Sequence, residues 1–400
     1  MPQSPGQPVA SPRDPALDGL RAIAVLMVYL FHYGGGLTSP SRPVRALGYL
    51  TQTGWVGVVL FFALSGFLIT GILWDSMGQP HWLRNFFTRR ALRIFPLYYF
   101  ALALTAAAIL LTGQGPHKLP VLGYYAVFLQ NFRRVVFHNF IIPTALPLYH
   151  FWSLAVEEQF YLFWPFLLLL CRKRASAINS ALQLCLGAFA FSAAFRLAIV
   201  YNSQSVKLQT FAELLPAQLA PLALGAALAI AFRCGDRARD RVNRAALPAF
   251  LLGLALYLFS SYRSGSFLIA SNLQFALGFA AVSLFAAAAI PLLLRDGPAR
   301  RLCSLAPLAW LGRISYGFYV FHILLQPLFD LIASHAAHTT SGSFYQLVRL
   351  VAGLPITIAA AWLSFHLLEL PFLRLKRSFP TQQPLTAISS DRSLSPASNP

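Results

Sequence analysis

Acidic residues are scarce in this chain: 12 Asp and Glu stand against 31 Lys and Arg in 400 residues, and charged residues of every kind make up only 11%. That is too little charge to clothe an ordinary soluble domain of this length. Cysteine is scarcer still. Cys171, Cys185, Cys234 and Cys303 are widely spaced, which argues against a paired disulfide framework and against the close ligand spacing of a zinc site. The chain also lacks a Gly-rich phosphate loop, a metal-ligand cluster and a Gly-x-Ser-x-Gly elbow, so no metal and no bound cofactor are expected. No internal repeat stands out, which weighs against an inverted-repeat transporter.

What the chain does hold is apolar bulk: 57% hydrophobic residues, with 34 Phe and 15 Tyr. Such a composition belongs in a lipid bilayer. A formal charge of +19 could suggest nucleic acid, but the basic residues gather at the ends of apolar runs. Membrane anchoring explains them, and no nucleic-acid partner is expected. Residues 1 to 16 are polar and Pro-rich, and the first apolar stretch leads into a multi-span chain, which argues against a cleaved signal peptide.

A hydrocarbon core needs about 20 apolar residues of helix. Ten such spans are expected, near residues 19–37, 55–73, 94–112, 150–170, 180–201, 211–232, 245–261, 267–294, 308–332 and 345–369. Alternate connections hold the basic clusters: Arg84, Arg89, Arg90 and Arg93; Arg172 to Arg174; Arg233 to Arg244; Arg295, Arg300 and Arg301; and Arg374, Lys376 and Arg377. By the positive-inside rule these connections and both termini lie in the cytoplasm. Residues 120–132 are apolar but too short to cross, so they read as a re-entrant or interfacial segment of an outer loop. The expectation is an all-α integral membrane protein with a disordered N-terminus (1–16), a transmembrane domain (17–375) and a disordered cytoplasmic tail (376–400).

Ionisable groups inside spans are costly and usually functional, so the chemistry should be sought there. The first span places Asp18, Arg21 and His32 near one face. Arg21 and His32 are only about 20° apart around the helix but roughly 16 Å apart along it, so they would act on different parts of one long ligand. A neutral imidazole can take a proton from an alcohol, the step a hydroxyl needs before attacking a thioester. The bland alternative is a histidine bonded between helices. Arg90 and Arg93, three apart, share a helical face and could hold phosphate oxygens, although plain anchoring also explains an Arg cluster.

The fourth span opens with His150, Trp152, Ser153, Glu157 and Glu158. Adjacent carboxylates in a helix point about 100° apart, so one could orient an imidazole or bind sugar hydroxyls while the other forms a salt bridge, with Arg196 a plausible mate. In the ninth span Ser315 and His322 face one way but lie two turns apart, too far for a direct pair, and helix packing is the simpler reading. His366 and Glu369 look like an interface anchor.

In order along the chain, these segments resemble the membrane acyltransferase-3 family of bacterial O-acyltransferases, from about Leu17 to Arg374. The resemblance rests on LDGLRAIAVLMVYLFH, GVVLFFALSGFLIT at 57–70, RRALRIFP and HFWSLAVEEQFYLFWP, with ISYGFYVFH and HLLELPF in support. It implies a multi-pass inner (plasma) membrane enzyme using acyl-CoA, acetyl-CoA above all, as donor substrate. His32 would be the catalytic histidine, Arg21 essential beside it, Arg90 and Arg93 the pair associated with acyl-CoA, and Glu157 important. Asp18 or Glu157 would orient His32, with His150, Trp152, Ser153, Glu158, Ser315 and His322 in support. The acceptor would be a carbohydrate hydroxyl arriving from outside. Glu369-Leu370-Pro371 departs from the Glu-Arg-Pro or Glu-Lys-Pro often found there. The chain also stops short of the hydrolase-like domain some members carry. A transporter of an anionic or lipid-linked substrate is the competing class, and an inactive acyl sensor of the same fold a third.

Overall fold

The computed structural model describes residues 14–34, 42–113, 119–136, 146–202, 208–269 and 271–380. Helices dominate these residues, as they must where no water can satisfy the backbone. Helix α1 spans Pro15–Gly34, α2 Arg42–Gln52, α3 Val56–Ser76 and α4 Trp82–Leu111. Short α5 (Leu119–Ala126) and α6 (Arg133–Val136) precede α7 (Trp152–Arg172), α8 (Ala177–Asn202), α9 (Leu208–Ala212) and α10 (Leu215–Ala231). Next come α11 (Asp236–Ser264), α12 (Phe279–Leu294), α13 (Pro298–Cys303) and α14 (Ala306–Arg313). Helices α15 (Ser315–Leu324), α16 (Gln326–Ala337), α17 (Ser343–Ser364) and α18 (Leu370–Leu375) complete the chain.

Among the described residues, eight helices are long and apolar enough to cross a membrane, and the chain is a multi-pass membrane protein. A ninth candidate is the pair α15 and α16, bent by 57°. The span expected at 308–332 is thus not one straight helix. Pro327, in the first turn of α16, lacks the N–H that would continue the α15 ladder, which accounts for a break at this point. The span expected at 211–232 is α10, which at 17 residues is shorter than the eight helices long enough to cross, α12 reaching that length together with the π-helical turn Gln274–Gly278 before it.

The short apolar segment at 120–132 forms no crossing helix. It makes one two-turn helix, α5, then reverses through Phe128, whose φ of 56° is left-handed. Phe128 is held there by ring stacking on Tyr98 at 4.4 Å, while Tyr98 and Tyr99 donate to the Tyr125 and Ala126 carbonyls.

In lipid there is little hydrophobic drive between helices, so close backbone approach must supply the packing. At the α3–α10 crossing, a Cβ on Gly66 would overlap the Leu222 carbonyl and one on Gly225 the Ala63 carbonyl. Side chains of any size there would push the helices apart. The start of α1 is clasped in the same way, with Gly312 of α14 against Asp18 and Gly19 against Cys303 of α13. This fixes the first turns of α1, which carry Asp18 and Arg21.

Two ends of the chain differ from expectation. Asp14 caps the Ala16 N–H and pairs with Arg300 at 3.0 Å, so the last residues of the 1–16 segment are structured. Residues 376–380 dock on α4, where Arg89 donates to the Lys376 and Phe379 carbonyls and Asn85 to that of Pro380. Residues 1–13 and 381–400 lie outside the described residues.

Candidate active site

The expected site residues gather in two groups near opposite ends of α1. The first forms around Arg21, which is salt-bridged to Asp18 at 2.5 Å, one turn back on the same helix. The charge of Arg93 acts on Arg21, and Arg90 feels Arg93, Arg21 and Glu158. Three arginines from α1 and α4 thus converge. Arg90 stacks over the Tyr161 ring, 5.8 Å from its centroid. Among the described residues, neither Arg90 nor Arg93 makes a hydrogen bond or ion pair, whereas the neighbouring Arg89 is spent on backbone carbonyls.

Beside the arginines, α7 supplies Glu157. Its carboxylate accepts from Ser65 of α3 at 2.6 Å and from Tyr161 at 3.1 Å. Glu158 points elsewhere, as adjacent helical residues must. Its Oε1 is enclosed without a hydrogen-bond partner among the described residues, and the charge of Arg90 acts on it. Glu369 joins this end too. The last span passes through a π-helical turn at Phe365–Glu369, which leaves His366 exposed on the outside and turns Glu369 inwards, 5% exposed, with Arg93 its foremost charged neighbour. The two residues therefore do not form a shared interface anchor.

The second group forms at the other end of α1. His32 lies with its ring centroid 5.0 Å from that of His322, and His322 lies 5.0 Å from His150. Three imidazoles from α1, α15 and the turn before α7 meet here, although no group of three His, Cys, Asp or Glu among the described residues is arranged to hold a metal ion. His32 Nδ1 is 2.8 Å from the Val28 carbonyl and 3.3 Å from His322 Nε2, and His322 Nδ1 is 2.6 Å from the Tyr319 carbonyl. Both ring nitrogens of His150 are enclosed without a hydrogen-bond partner among the described residues. Tyr149 stands 6.0 Å from His32, and Tyr33 donates to the His322 carbonyl.

Between the groups lies a smaller polar contact: Ser153 and Tyr319 bond hydroxyl to hydroxyl at 2.6 Å, and Tyr319 donates to the His150 carbonyl. Trp152 packs edge-on against Phe62 and Ser315 is buried in its own helix, neither near an imidazole hydrogen bond.

Several of the sequence-based partnerships are replaced. Neither Asp18 nor Glu157 hydrogen-bonds to His32, because Asp18 is held by Arg21 and Glu157 by Ser65 and Tyr161. Arg196 does not pair with either glutamate: it donates to Ser192 and the Ala217 carbonyl and stacks on Phe279 at 4.7 Å. Ser65, Tyr161, Tyr319 and Glu369 belong to the site and were not anticipated in it. Tyr161 was legible as the i+4 neighbour of Glu157, and Ser65 as a hydroxyl inside an apolar run.

Comparison with known proteins places this chain among relatives. A family model for an acyltransferase domain, of the acyltransferase-3 type, matches residues 14–366. The chain is 29% identical over 376 residues to the peptidoglycan O-acetyltransferase OatA of Listeria monocytogenes, covering 89% of this chain and 55% of the relative. It is 28% identical over 379 residues to YrhL of Bacillus subtilis, whose name assigns it provisionally to the same activity, with coverage of 89% and 54%. The chain spans about half the length of these curated relatives. No solved structure matches it significantly.

Proposed function

The chain belongs to this acyltransferase family, and on that premise we propose that it moves an acyl group, acetyl first of all, from cytoplasmic acyl-CoA to a hydroxyl of a carbohydrate-containing acceptor. The observation that carries the reading is the separation of two unlike polar ends along α1. Arg90 and Arg93, with guanidinium donors unspent on protein groups among the described residues, stand beside Arg21 at one end. His32 stands at the other, roughly 16 Å along the helix axis. A donor with phosphates at one end, a long flexible arm and a thioester at the other suits that spacing. Guanidinium forks hold phosphates by paired hydrogen bonds.

His32 is the general base of this reading. Its Nδ1–H is committed to a carbonyl, which leaves the Nε2 lone pair for the acceptor hydroxyl. The hydroxyl proton passes to Nε2, its oxygen bonds to the acyl carbon, and the carbon–sulfur bond breaks. The departing thiolate then takes the proton from His32. With basic connections inside, both termini are cytoplasmic, the arginines face the acyl-CoA pool of the inner membrane, and the acceptor enters from outside. The names of the relatives make peptidoglycan the first acceptor to try.

The test uses inverted membrane vesicles carrying wild type or His32→Ala at matched expression, supplied with acyl-labelled acetyl-CoA, against vesicles lacking the protein. Label in glycan or lipid-linked glycan with wild type alone is the expected result. Equal label in both removes His32 from the chemistry. Uptake of an unaltered anionic or lipid-linked substrate without acyl transfer would favour a transporter instead.

A further inference from the structure

A histidine serves as a base only when one ring nitrogen is unprotonated and aimed, which is normally secured by an acceptor on the other nitrogen. For His32 that other nitrogen is Nδ1. A carbonyl can only accept, so the Val28 oxygen at 2.8 Å assigns the proton to Nδ1. His322 is fixed by the same logic: its Nδ1 donates to the Tyr319 carbonyl at 2.6 Å, so its Nε2 carries a lone pair. That lone pair faces His32 Nδ1 at 3.3 Å. Two acceptors therefore converge on one N–H.

We propose that His322 is the positioning residue of the acyl-transfer site, accepting from the His32 Nδ1–H and sharing the positive charge that His32 gains when Nε2 takes the acceptor proton. The proposal rests on His32 being the base. It assigns to a neutral imidazole the work that a carboxylate does in other base–orienter pairs. The surroundings favour that substitution. An ionised carboxylate would need its own compensating partners in an enclosed membrane site, whereas a neutral imidazole supplies a lone pair without a buried charge.

The support for His322 is itself rigid. Its ring is fully buried, lies parallel to Phe318 and is flanked by His150. Its backbone carbonyl, in the last turn of α15 where no further helical donor exists, accepts from Tyr33 of α1. The bond from Tyr33 also ties α15 to α1 one residue beyond His32. In the transfer step the acceptor proton moves to His32 Nε2 and on to the leaving thiolate, while the Nδ1 proton stays between His32, Val28 and His322. Atoms and charge therefore balance without another reactant.

Two near-isosteric variants test this. In His322→Gln the amide oxygen reaches the position of Nε2, and in His322→Asn it falls near that of Nδ1 and cannot reach His32. With labelled acetyl-CoA and inverted vesicles, His322→Gln should keep most of kcat. His322→Asn should lose roughly 10- to 100-fold in kcat with KM for acetyl-CoA unchanged, because the phosphate-binding groups lie at the far end. Thermal midpoints of the two purified proteins should match. Equal activity of the two variants, whether high or low, overturns the positioning role. His32→Ala separates the failures: if it transfers label as wild type does, the assignment of the base falls first, and if it is silent while Gln and Asn are equal, only the role of His322 falls.

Discussion

At one end of α1, three arginines and four carboxylates act on one another: Arg21, Arg90 and Arg93 with Asp18, Glu157, Glu158 and Glu369. At the other end, His32 and His322 take backbone carbonyls and each other as partners, His150 packs against His322 ring to ring, and no formal charge among the described residues hydrogen-bonds to the three rings. Charge is tolerable in a membrane where opposite signs compensate, and Arg90 and Arg93, without a hydrogen bond or ion pair among the described residues, are what the proposed reading assigns to an anionic donor. A neutral cluster does something different. In the proposed reaction the protonation of His32 can change without breaking an ion pair, because its partners are a carbonyl and a second imidazole. In the proposed reaction the two ends would divide the work into holding a donor and moving a proton.

That division predicts which kinetic constant each end controls. Losing the base is the largest effect: His32→Ala should lower kcat roughly 10²- to 10⁴-fold with little change in KM for acetyl-CoA. Steady-state transfer in vesicles measures both. A rise in KM as large as the fall in kcat would break the separation of the two ends. Next comes the arginine pair. Replacing Arg90 or Arg93 by Lys keeps the charge but loses the planar fork, so KM should rise about tenfold, or about 1.4 kcal/mol, while kcat holds within that factor. A charge-only site would instead tolerate Lys.

Glu157→Gln sharpens the comparison further. The amide keeps one oxygen to accept from one of the two hydroxyls, Ser65 or Tyr161, and presents its NH2 as donor to the other, while removing the negative charge facing Arg90 and Arg93. Acetyl-CoA should then bind differently by only a few-fold, a scale set by single exposed-to-intermediate ion pairs, with kcat retained. If Glu157 oriented the base after all, kcat would fall as it does for His32→Ala.

The sequence made the helices legible because bilayer thickness imposes a single length on any apolar run. It did not show the α15–α16 bend as a bend: Pro327, preceded by Gln326 in a mostly apolar run, is compatible both with a kink inside one span and with a break between two helices. The α1 partnership was readable. Asp18 and Arg21 are three apart and pair, and the same rise per residue puts Asp18 roughly 21 Å from His32, which rules it out as that ring's partner. His322 was invisible as a partner because only the packing of α15 against α1 brings positions 32 and 322 together. Glu369 was hidden for a local reason: the π-helical turn adds a residue to one turn, so ordinary helical spacing wrongly sets Glu369 on the face of His366.

The smallest expected effect concerns Arg196, a buried cation away from both ends. Its Nη1 donates to Ser192 and to the Ala217 carbonyl, while Nε and Nη2 are enclosed without partners. Stacking on Phe279 recovers part of the desolvation cost, but no carboxylate among the described residues bonds to it. Replacing a buried, incompletely paired ion by an apolar side chain of similar length is often neutral or stabilising. Arg196→Met should therefore leave both kcat and KM within error and leave the thermal midpoint in detergent unchanged or higher. A loss of transfer in that variant would extend the charged end of the site to α8. The lone cation there would then be a third region with its own part in donor or acceptor binding, not a packing group between α8, α10 and α12.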